Sequence, residues 1–360
     1  MNRLNKAVVP FLGIAILAFL FALWGGLMRM GWRLPAITPS LAMAHGPLMI
    51  SGFLGTLITV ERAVALKQRW MFIPAILAGL GSLFTLLIKN FWLGPVLLTL
   101  ASLGGAAILV EITRRETALY TVTMLFGAAA WFAGSVFWLG GWQIFQIVMF
   151  WQAFLVLTIL GERLELSRVL RPSAAAGRIF IGILVVYLAS LLVFLSDMQW
   201  GARLNGASLL AFSLWSLRND IAWRNLRHPL ALTRYIAWCL ALGFAWMGLG
   251  GLISLGLGAQ AAGPGYDAAL HAVFVGFVIS MIFGHAPIIF PAVLGVQISF
   301  NPLFYIQLIL LHVSLAVRML GSLANLHEVR LWGGLLNEVA ILVFLGMTVH
   351  SIRRSLKASV

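Results

Sequence analysis

Charge and cysteine are scarce in this sequence. Of its 360 residues, 9% are charged, only ten are acidic, and one, Cys239, is a cysteine. A single cysteine excludes a disulfide within the chain and any CxxC metal motif. The low charge, together with 62% hydrophobic residues, excludes a water-soluble globular domain, since runs such as 8–27 and 96–110 have no polar face. Backbone groups in lipid must be satisfied within the segment, so we expect an all-α polytopic integral membrane protein.

The apolar runs set the number of membrane-spanning segments. About 20 apolar residues are needed to cross the hydrocarbon core. On this basis the sequence predicts about 12 transmembrane helices in one bundle, forming a single transmembrane helical domain over residues 1–360. The predicted spans are 8–29, 41–61, 70–88, 92–112, 118–139, 142–160, 178–196, 203–217, 235–258, 267–291, 302–323 and 330–351.

The basic residues are distributed unevenly between the loops. There are 24 of them, giving a formal net charge of +14, and 18 follow the N-terminus or the even-numbered spans. The positive-inside rule then predicts a multi-pass protein of a bacterial-type inner (cytoplasmic) membrane with both termini cytoplasmic. Its expected partner is the lipid bilayer, with no nucleic acid. The longest connections, 161–177 and 218–234, are expected to be short surface helices with snorkelling arginines. The 18 residues are Arg3, Lys6, Arg62, Lys67, Arg69, Arg114, Arg115, Arg163, Arg168, Arg171, Arg178, Arg218, Arg224, Arg227, Arg234, Arg353, Arg354 and Lys357.

Five histidines fall within or next to the apolar spans, where an ionisable group is costly and therefore a candidate functional residue. With a rise of about 1.5 Å per residue, His45 and His271 lie at one level near the outer face, and His327 lies at or slightly above it. His285 and His312 share a second level, roughly 21 Å deeper. At about 100° per α-helical residue, His271 and His285 are predicted to lie on one face of the same helix.

Two facing imidazoles suit a metal cofactor. Neutral imidazole is a common ligand for haem iron and a good one for copper. The outer pair, His45 and His271, therefore predicts a six-coordinate haem b, and the deeper pair predicts a second haem or a copper ion. The alternative for each histidine is a hydrogen bond between helices. Arg318, in predicted span 11, needs an anion, for which a haem propionate or Glu338 would serve.

Two segments resemble known membrane haem proteins. The run His45-Gly46-Pro47-Leu48-Met49-Ile50-Ser51-Gly52 resembles the second span of haem-copper oxidase and nitric oxide reductase catalytic subunits. In those subunits a histidine at this place ligates low-spin haem, and its partner comes from the tenth span, which here carries His271. The run His271-Ala272-Val273-Phe274-Val275-Gly276, continuing to Met281-Ile282-Phe283-Gly284, is more similar to the NnrS family, twelve-span membrane haem proteins linked to nitric oxide stress. The similarity covers spans 2 and 10 to 11, about a quarter of the chain.

The sequence also departs from these families. No two histidines are adjacent, and no histidine is followed four residues later by tyrosine, so the copper centre of a terminal oxidase is not expected. Oxygen reduction coupled to proton pumping is therefore disfavoured. Where the NnrS-like run usually continues with methionine and a basic residue, this chain has His285, Ala286 and Pro287, which adds a candidate ligand.

The first functional hypothesis is a membrane haem protein that binds or detoxifies nitric oxide or another diatomic ligand, or transfers electrons. The resemblance implies a haem-dependent oxidoreductase with one or two haems b, copper as a second metal, and a quinol or cytochrome as electron donor; catalytic residues stay unidentified. The predicted cofactor-binding residues are His45, His271, His285, His312 and Arg318, and the predicted metal ligands are His45, His271, His285, His312 and His327.

Two alternatives stay open at this point. The first is a twelve-span secondary transporter with a proton or anion path through His285, His312 and Arg318 near the bilayer midplane. Such a fold often has two similar halves, and no convincing repeat of spans 1–6 occurs in spans 7–12. The second is an assembly factor that carries haem or copper transiently.

Overall fold

The computed structural model describes residues 5, 7–38, 40–87, 92–170, 173–296 and 300–357. Within these ranges every regular element is a helix and none is a strand, which confirms the predicted all-α class. Three of the 18 basic residues used to predict orientation, Arg3, Lys6 and Arg171, lie outside the described residues.

The described part of the chain contains twelve long helices, close to the predicted spans. They are α1 (Val9–Met30), α2 (Leu41–Leu66), α3 (Arg69–Leu87), α4 (Leu93–Arg115), α5 (Leu119–Leu139), α6 (Ile144–Leu170), α7 (Ala174–Ser196), α8 (Met198–Asn219), α9 (Ala231–Leu257), α10 (Pro264–Leu294), α11 (Phe304–Leu323) and α12 (His327–Ser355).

Eleven of these helices are long and apolar enough to cross a membrane, so the chain is a multi-pass membrane protein. The other one, α8, corresponds to the predicted span 203–217. It buries polar side chains, including Asn205, Ser208 and Ser213, which are 1–3% exposed. Its interior-facing side thus combines polar residues with apolar ones such as Leu209 and Phe212, and the polar residues contribute to its lower hydropathy.

Helix ends follow ordinary capping chemistry. The α1 helix ends at Gly31, whose φ of 116° places it in the left-handed region and lets its N–H bond to the carbonyl of Met28. The Ser173 hydroxyl accepts a hydrogen bond from the Ala176 N–H at the start of α7. The Asp197 carboxylate does the same at α8 with the N–H groups of Gln199 and Trp200.

The helices form two compact units. The first consists of the described residues of 1–158, 288–298 and 352–360, and the second of those of 159–287 and 299–351. His45 therefore belongs to the first unit, whereas His271, His285 and His312 belong to the second.

The core of the first unit is built around Trp131 of α5. Its indole stacks on Phe154 with ring centroids 4.5 Å apart and donates a 2.9 Å hydrogen bond to the Ser51 hydroxyl. Gly55 and Gly105 face this indole, and a Cβ at either position would lie within 2.8 Å of a ring atom. Glycine at both places is what makes room for the indole between α2 and α4.

The second unit contains close backbone contacts between helices. A Cβ on Gly206 of α8 would lie 2.5 Å from the carbonyl oxygen of Gly251 of α9, and one on Gly251 would lie 2.6 Å from that of Gly206. Small residues allow such approach in membrane helices. Gly333 of α12 packs equally closely on the backbone of Arg318 of α11.

A buried ion pair differs from the expectation for the connection 161–177. The α6 helix continues to Leu170, and its Arg163 donates two hydrogen bonds, of 2.8 and 2.9 Å, to the Asp220 carboxylate. Both side chains are less than 10% exposed, at 7% and 3%. Arg163 is therefore not a snorkelling surface residue, because Asp220 neutralises it inside the second unit. The second connection does contain a short helix, Ala222–Asn225, with Arg224 exposed as predicted.

Candidate functional site

Two segments of π-helix mark the helices that carry the outer histidines. Residues Leu48–Gly55 in α2 and Ala272–Ile279 in α10 are π-helical, eight residues each. A π-helix longer than a single turn is rare, and π-helical segments are frequent at functional sites. His45 lies three residues before the first segment, and His271 directly precedes the second. Both histidines thus lie shortly before a π-helical segment, within three residues of its first residue.

The second π segment also affects a prediction about the face of α10. The expectation that His271 and His285 share one face assumed about 100° per residue, which is α-helical geometry. Eight of the fourteen residues from one to the other have i→i+5 hydrogen bonds, and each therefore turns the chain by a smaller angle. The calculation that places His271 and His285 on one face of α10 therefore does not apply across this π-helical segment.

The ring of His45 is oriented by α1. Its Nδ1 lies 2.7 Å from the carbonyl oxygen of Ala22, within the first unit. Since a carbonyl oxygen can only accept, Nδ1 carries the hydrogen, and in the neutral ring Nε2 carries the lone pair. This is the tautomer of a histidine that ligates a metal through Nε2.

The ring of His271 has the same tautomer as His45, and both acceptors for its N–H belong to Asp267. Its Nδ1 lies 2.9 Å from the carbonyl oxygen of Asp267 and 3.2 Å from the carboxylate oxygen Oδ1 of the same residue. The spacing of four residues places the two side chains one turn apart on the same side of α10. The His271 side chain is 20% exposed.

Asp267 is the centre of a buried ionic cluster. Arg318 donates to both of its carboxylate oxygens, from Nε to Oδ2 at 2.9 Å and from Nη2 to Oδ1 at 2.6 Å. The Ser322 hydroxyl donates to Oδ2 at 3.4 Å. The sequence offered a haem propionate or Glu338 as the anion for Arg318. The structure pairs Arg318 directly with Asp267, which that reasoning had omitted, and also places Glu338 within electrostatic range of Arg318.

Local sequence explains how these groups meet. Pro264 begins α10, and Asp267 lies in its first turn, where a negative charge is favourable. The close contact of Gly333 brings α12 against the backbone of Arg318. Arg318 is 7% exposed and Asp267 12%, so the pair is largely removed from solvent.

The deeper histidines have different surroundings. His285 is buried, and its Nδ1 donates to the Met281 carbonyl at 2.7 Å, which again places the lone pair of the neutral ring on Nε2. It therefore has the tautomer of an Nε2 ligand, as His45 and His271 do.

His312 connects three helices through hydrogen bonds. Its Nδ1 accepts from the Trp246 indole at 2.9 Å, so its hydrogen is on Nε2, which lies 3.3 Å from the Ser280 hydroxyl oxygen. Ser280 in turn donates to the Cys239 carbonyl at 2.7 Å. Because both ring nitrogens of His312 are engaged, this arrangement favours the role of an interhelical hydrogen-bond partner over that of a metal ligand.

The last predicted ligand lies at the surface. His327 is exposed at the start of α12, and its Nδ1 lies 3.3 Å from Nη2 of Arg330. Across the described ranges, no group of three or more His, Cys, Asp or Glu side chains is arranged to hold a metal ion.

Asp267 is the functional candidate that sequence reasoning missed, although the sequence contains a signal for it. It is the sole acidic residue between Asp220 and Glu328, and it precedes His271 by four residues. An isolated acid within apolar sequence needs a partner, and the spacing identifies one. Trp246 and Ser280 have no comparable signal, because tryptophans and serines occur throughout the chain.

Comparison with known proteins gives a family but no function. No curated protein matches the chain, and no solved structure does. One family model matches residues 8–353, and its description is "Domain of unknown function (DUF8744)". Because this match covers nearly the whole sequence, the chain belongs to the DUF8744 family.

Proposed function

We propose that the protein is a membrane haem protein in which His45 and His271 ligate the iron of haem b through Nε2. The observation that supports this most is shared by both residues. Each donates its Nδ1 hydrogen to a backbone carbonyl, at 2.7 and 2.9 Å, and each lies within three residues of an eight-residue π-helical segment.

The donor chemistry fits an axial haem ligand. An imidazole that ligates iron through Nε2 generally donates its other N–H to a carbonyl or carboxylate, which fixes the tautomer and the ring orientation. Neutral imidazoles also cost less inside a bilayer than permanently charged ligands. His45 meets this requirement through Ala22, and His271 meets it through Asp267.

The bound haem would supply an iron that exchanges one electron and, where an axial position is open, binds nitric oxide or another diatomic ligand. A quinol or a cytochrome would act as electron donor. The protein's own contribution is to orient the two imidazoles and to surround them with apolar helices.

An absorption spectrum of the detergent-purified protein from haem-replete cells tests this proposal. We expect a Soret band and, after reduction, sharp α and β bands typical of two imidazole ligands. His45→Ala and His271→Ala should each abolish these bands or change their position and shape. His327→Ala is the matched control and should leave them unchanged, since His327 is exposed and bonded to Arg330. Carbon monoxide or nitric oxide added to the reduced protein tests for an open position, and metal analysis of the same sample tests for copper.

One observation favours a second candidate, a secondary transporter. The Asp267–Arg318 pair is an ionic group buried within membrane helices, and such groups often mark ion or proton pathways. A full-length protein without a Soret band and without bound metal would lead us to abandon the haem proposal in favour of this one.

The proposed location is a bacterial-type cytoplasmic membrane, with both termini on the cytoplasmic side. This topology needs an even number of crossings, so we propose that α8 crosses the membrane together with the eleven apolar helices. The excess of basic residues in one set of loops supports this orientation. Cys239 is buried and is the sole cysteine, so a Cys239→Ser background allows single-cysteine labelling in intact cells. An impermeant reagent should label Gly263→Cys and should not label Arg224→Cys; the opposite result would reverse the orientation.

A further inference from the structure

We propose that Asp267 is a positioning residue for His271, and that its carboxylate, held by Arg318, sets how strongly the imidazole donates electron density to iron. This inference rests on the proposed haem function and goes beyond it, because it assigns a residue that controls the reduction potential. The evidence for this inference is one connected set of contacts within the second unit.

The geometry gives the His271 N–H two acceptors on one residue. Nδ1 lies 2.9 Å from the Asp267 carbonyl oxygen and 3.2 Å from Oδ1 of its carboxylate. The carbonyl orients the ring, as in His45. The carboxylate adds a negative charge at hydrogen-bond distance from Nδ1, in addition to the neutral carbonyl acceptor.

A carboxylate acceptor strengthens an imidazole as a ligand. Donation of Nδ1–H to a negative group moves electron density toward Nε2 and raises ligand basicity. A more basic axial ligand stabilises ferric over ferrous iron and lowers the reduction potential. Asp267 is expected to act in this direction.

Arg318 limits the effect of the carboxylate. It donates to both carboxylate oxygens, at 2.9 and 2.6 Å, and Ser322 approaches Oδ2 at 3.4 Å. These donors compete with His271 for the negative charge, and they also keep the carboxylate from rotating away. Arg318 thus positions the Asp267 carboxylate and acts on His271 through it.

Redox titration of the haem-loaded protein, followed in the α band, tests this proposal. Asp267→Asn keeps an acceptor oxygen but removes the charge, so the reduction potential should shift to a more positive value while the haem-to-protein ratio is unchanged. The low-spin ferric electron paramagnetic resonance signal should shift as well, because it reports ligand-ring orientation and basicity. A purely structural role of Asp267 would change neither signal.

A double variant keeps the test valid if Asp267→Asn does not fold. The single substitution leaves the buried Arg318 without its carboxylate, whereas Asp267→Asn with Arg318→Gln removes both charges. Since the removed charges are opposite, the double variant should show a smaller shift, still positive, that measures the hydrogen bond to His271.

The Asp220–Arg163 pair supplies a matched control. Asp220, like Asp267, is a buried carboxylate in the second unit, and it accepts two hydrogen bonds from an arginine, at 2.8 and 2.9 Å. Its carboxylate also accepts hydrogen bonds from the Ser167 hydroxyl and the Ala222 N–H, and no histidine is among its hydrogen-bond donors in the described residues. Asp220→Asn, alone and with Arg163→Gln, should leave the reduction potential at the wild-type value.

The outcomes separate this inference from the function on which it rests. Wild-type protein without haem would overturn both. Wild-type protein with haem, and Asp267 variants with wild-type potentials, would overturn the inference alone. Equal shifts in the Asp220 variants would also overturn it, because any buried charge would then have the same effect.

Discussion

The guanidinium of Arg318 in α11 and the carboxylate of Asp267 in α10 form a two-bond ion pair, at 2.6 and 2.9 Å. Both side chains are at most 12% exposed. Such a pair is costly to break from one side, because the remaining charge stays buried without its partner. It therefore constrains α10 and α11 as well as the proposed ligand.

Arg318→Met should destabilise the protein by about 3–5 kcal/mol, the usual cost of leaving one member of a buried pair alone. The double variant Asp267→Asn with Arg318→Met should lose less than the sum of the two single variants, because neither charge is then left buried. Reversible unfolding in mixed micelles, measured as a double-mutant cycle, checks this. Additive losses would mean that the two side chains do not interact energetically.

Burial should also determine how much two further arginine ion pairs contribute to stability. Asp220→Asn removes a carboxylate that is 3% exposed and should cost about 3–5 kcal/mol. Glu111→Gln removes the exposed pair with Arg115, in which the side chains are 34% and 44% exposed, and should cost about 0.3–0.5 kcal/mol. Thermal unfolding of the two variants under one detergent condition gives the comparison. Similar melting temperatures would argue against the buried pair as a stabilising contact.

The helical architecture was predictable because lipid leaves few choices. A chain with 62% hydrophobic residues must satisfy its backbone within each segment, and the apolar runs then give the approximate helix bounds. Twelve long helices lie at the twelve predicted spans, and eleven of them are long and apolar enough to cross a membrane. The sequence did not predict that α8 buries polar side chains such as Asn205 and Ser208. Burial within a protein interior depends on how the helices pack, and the apolar runs do not specify that packing.

The site was predictable only in part. Histidines in apolar sequence were recognised as candidates, and His45, His271, His285 and His312 lie on the expected helices, whereas His327, expected in a connection, begins α12. The π-helical segments beside His45 and His271 have no periodic signature, so angles calculated from α-helical geometry did not anticipate them. The hydrogen bonds of His312 depend on Trp246, distant in sequence, which only the folded second unit brings near.

His312→Phe tests whether the deeper level contributes a ligand. It removes the acceptor for the Trp246 indole and the donor to Ser280, so it should destabilise the protein by about 1–3 kcal/mol. The haem absorption bands should be unchanged, because both ring nitrogens already have hydrogen-bond partners. Trp246→Phe should give a similar loss, and the double variant should lose little more. Disappearance of the haem bands in His312→Phe would instead place an iron ligand at this level.

Gly55→Ala tests the packing that surrounds the first π segment. Its Cβ would lie 2.6 Å from Cζ2 of Trp131, far inside van der Waals contact. The indole has little freedom to move, since it stacks on Phe154 at 4.5 Å and donates to Ser51 at 2.9 Å. We therefore expect a loss of about 1–3 kcal/mol from overpacking.

Gly182→Ala is the matched control for this substitution, because Gly182 has no neighbouring atom within 4 Å of an added Cβ. Its stability should stay within about 0.5 kcal/mol of wild type or rise, since alanine is the better helix former. Thermal unfolding of both variants distinguishes local overpacking from a general effect of replacing glycine. Equal stability of the Gly55→Ala and Gly182→Ala variants would contradict this prediction. Trp131 would then have to move aside without losing its hydrogen bond to Ser51. The π segment would not depend on a close contact at this position.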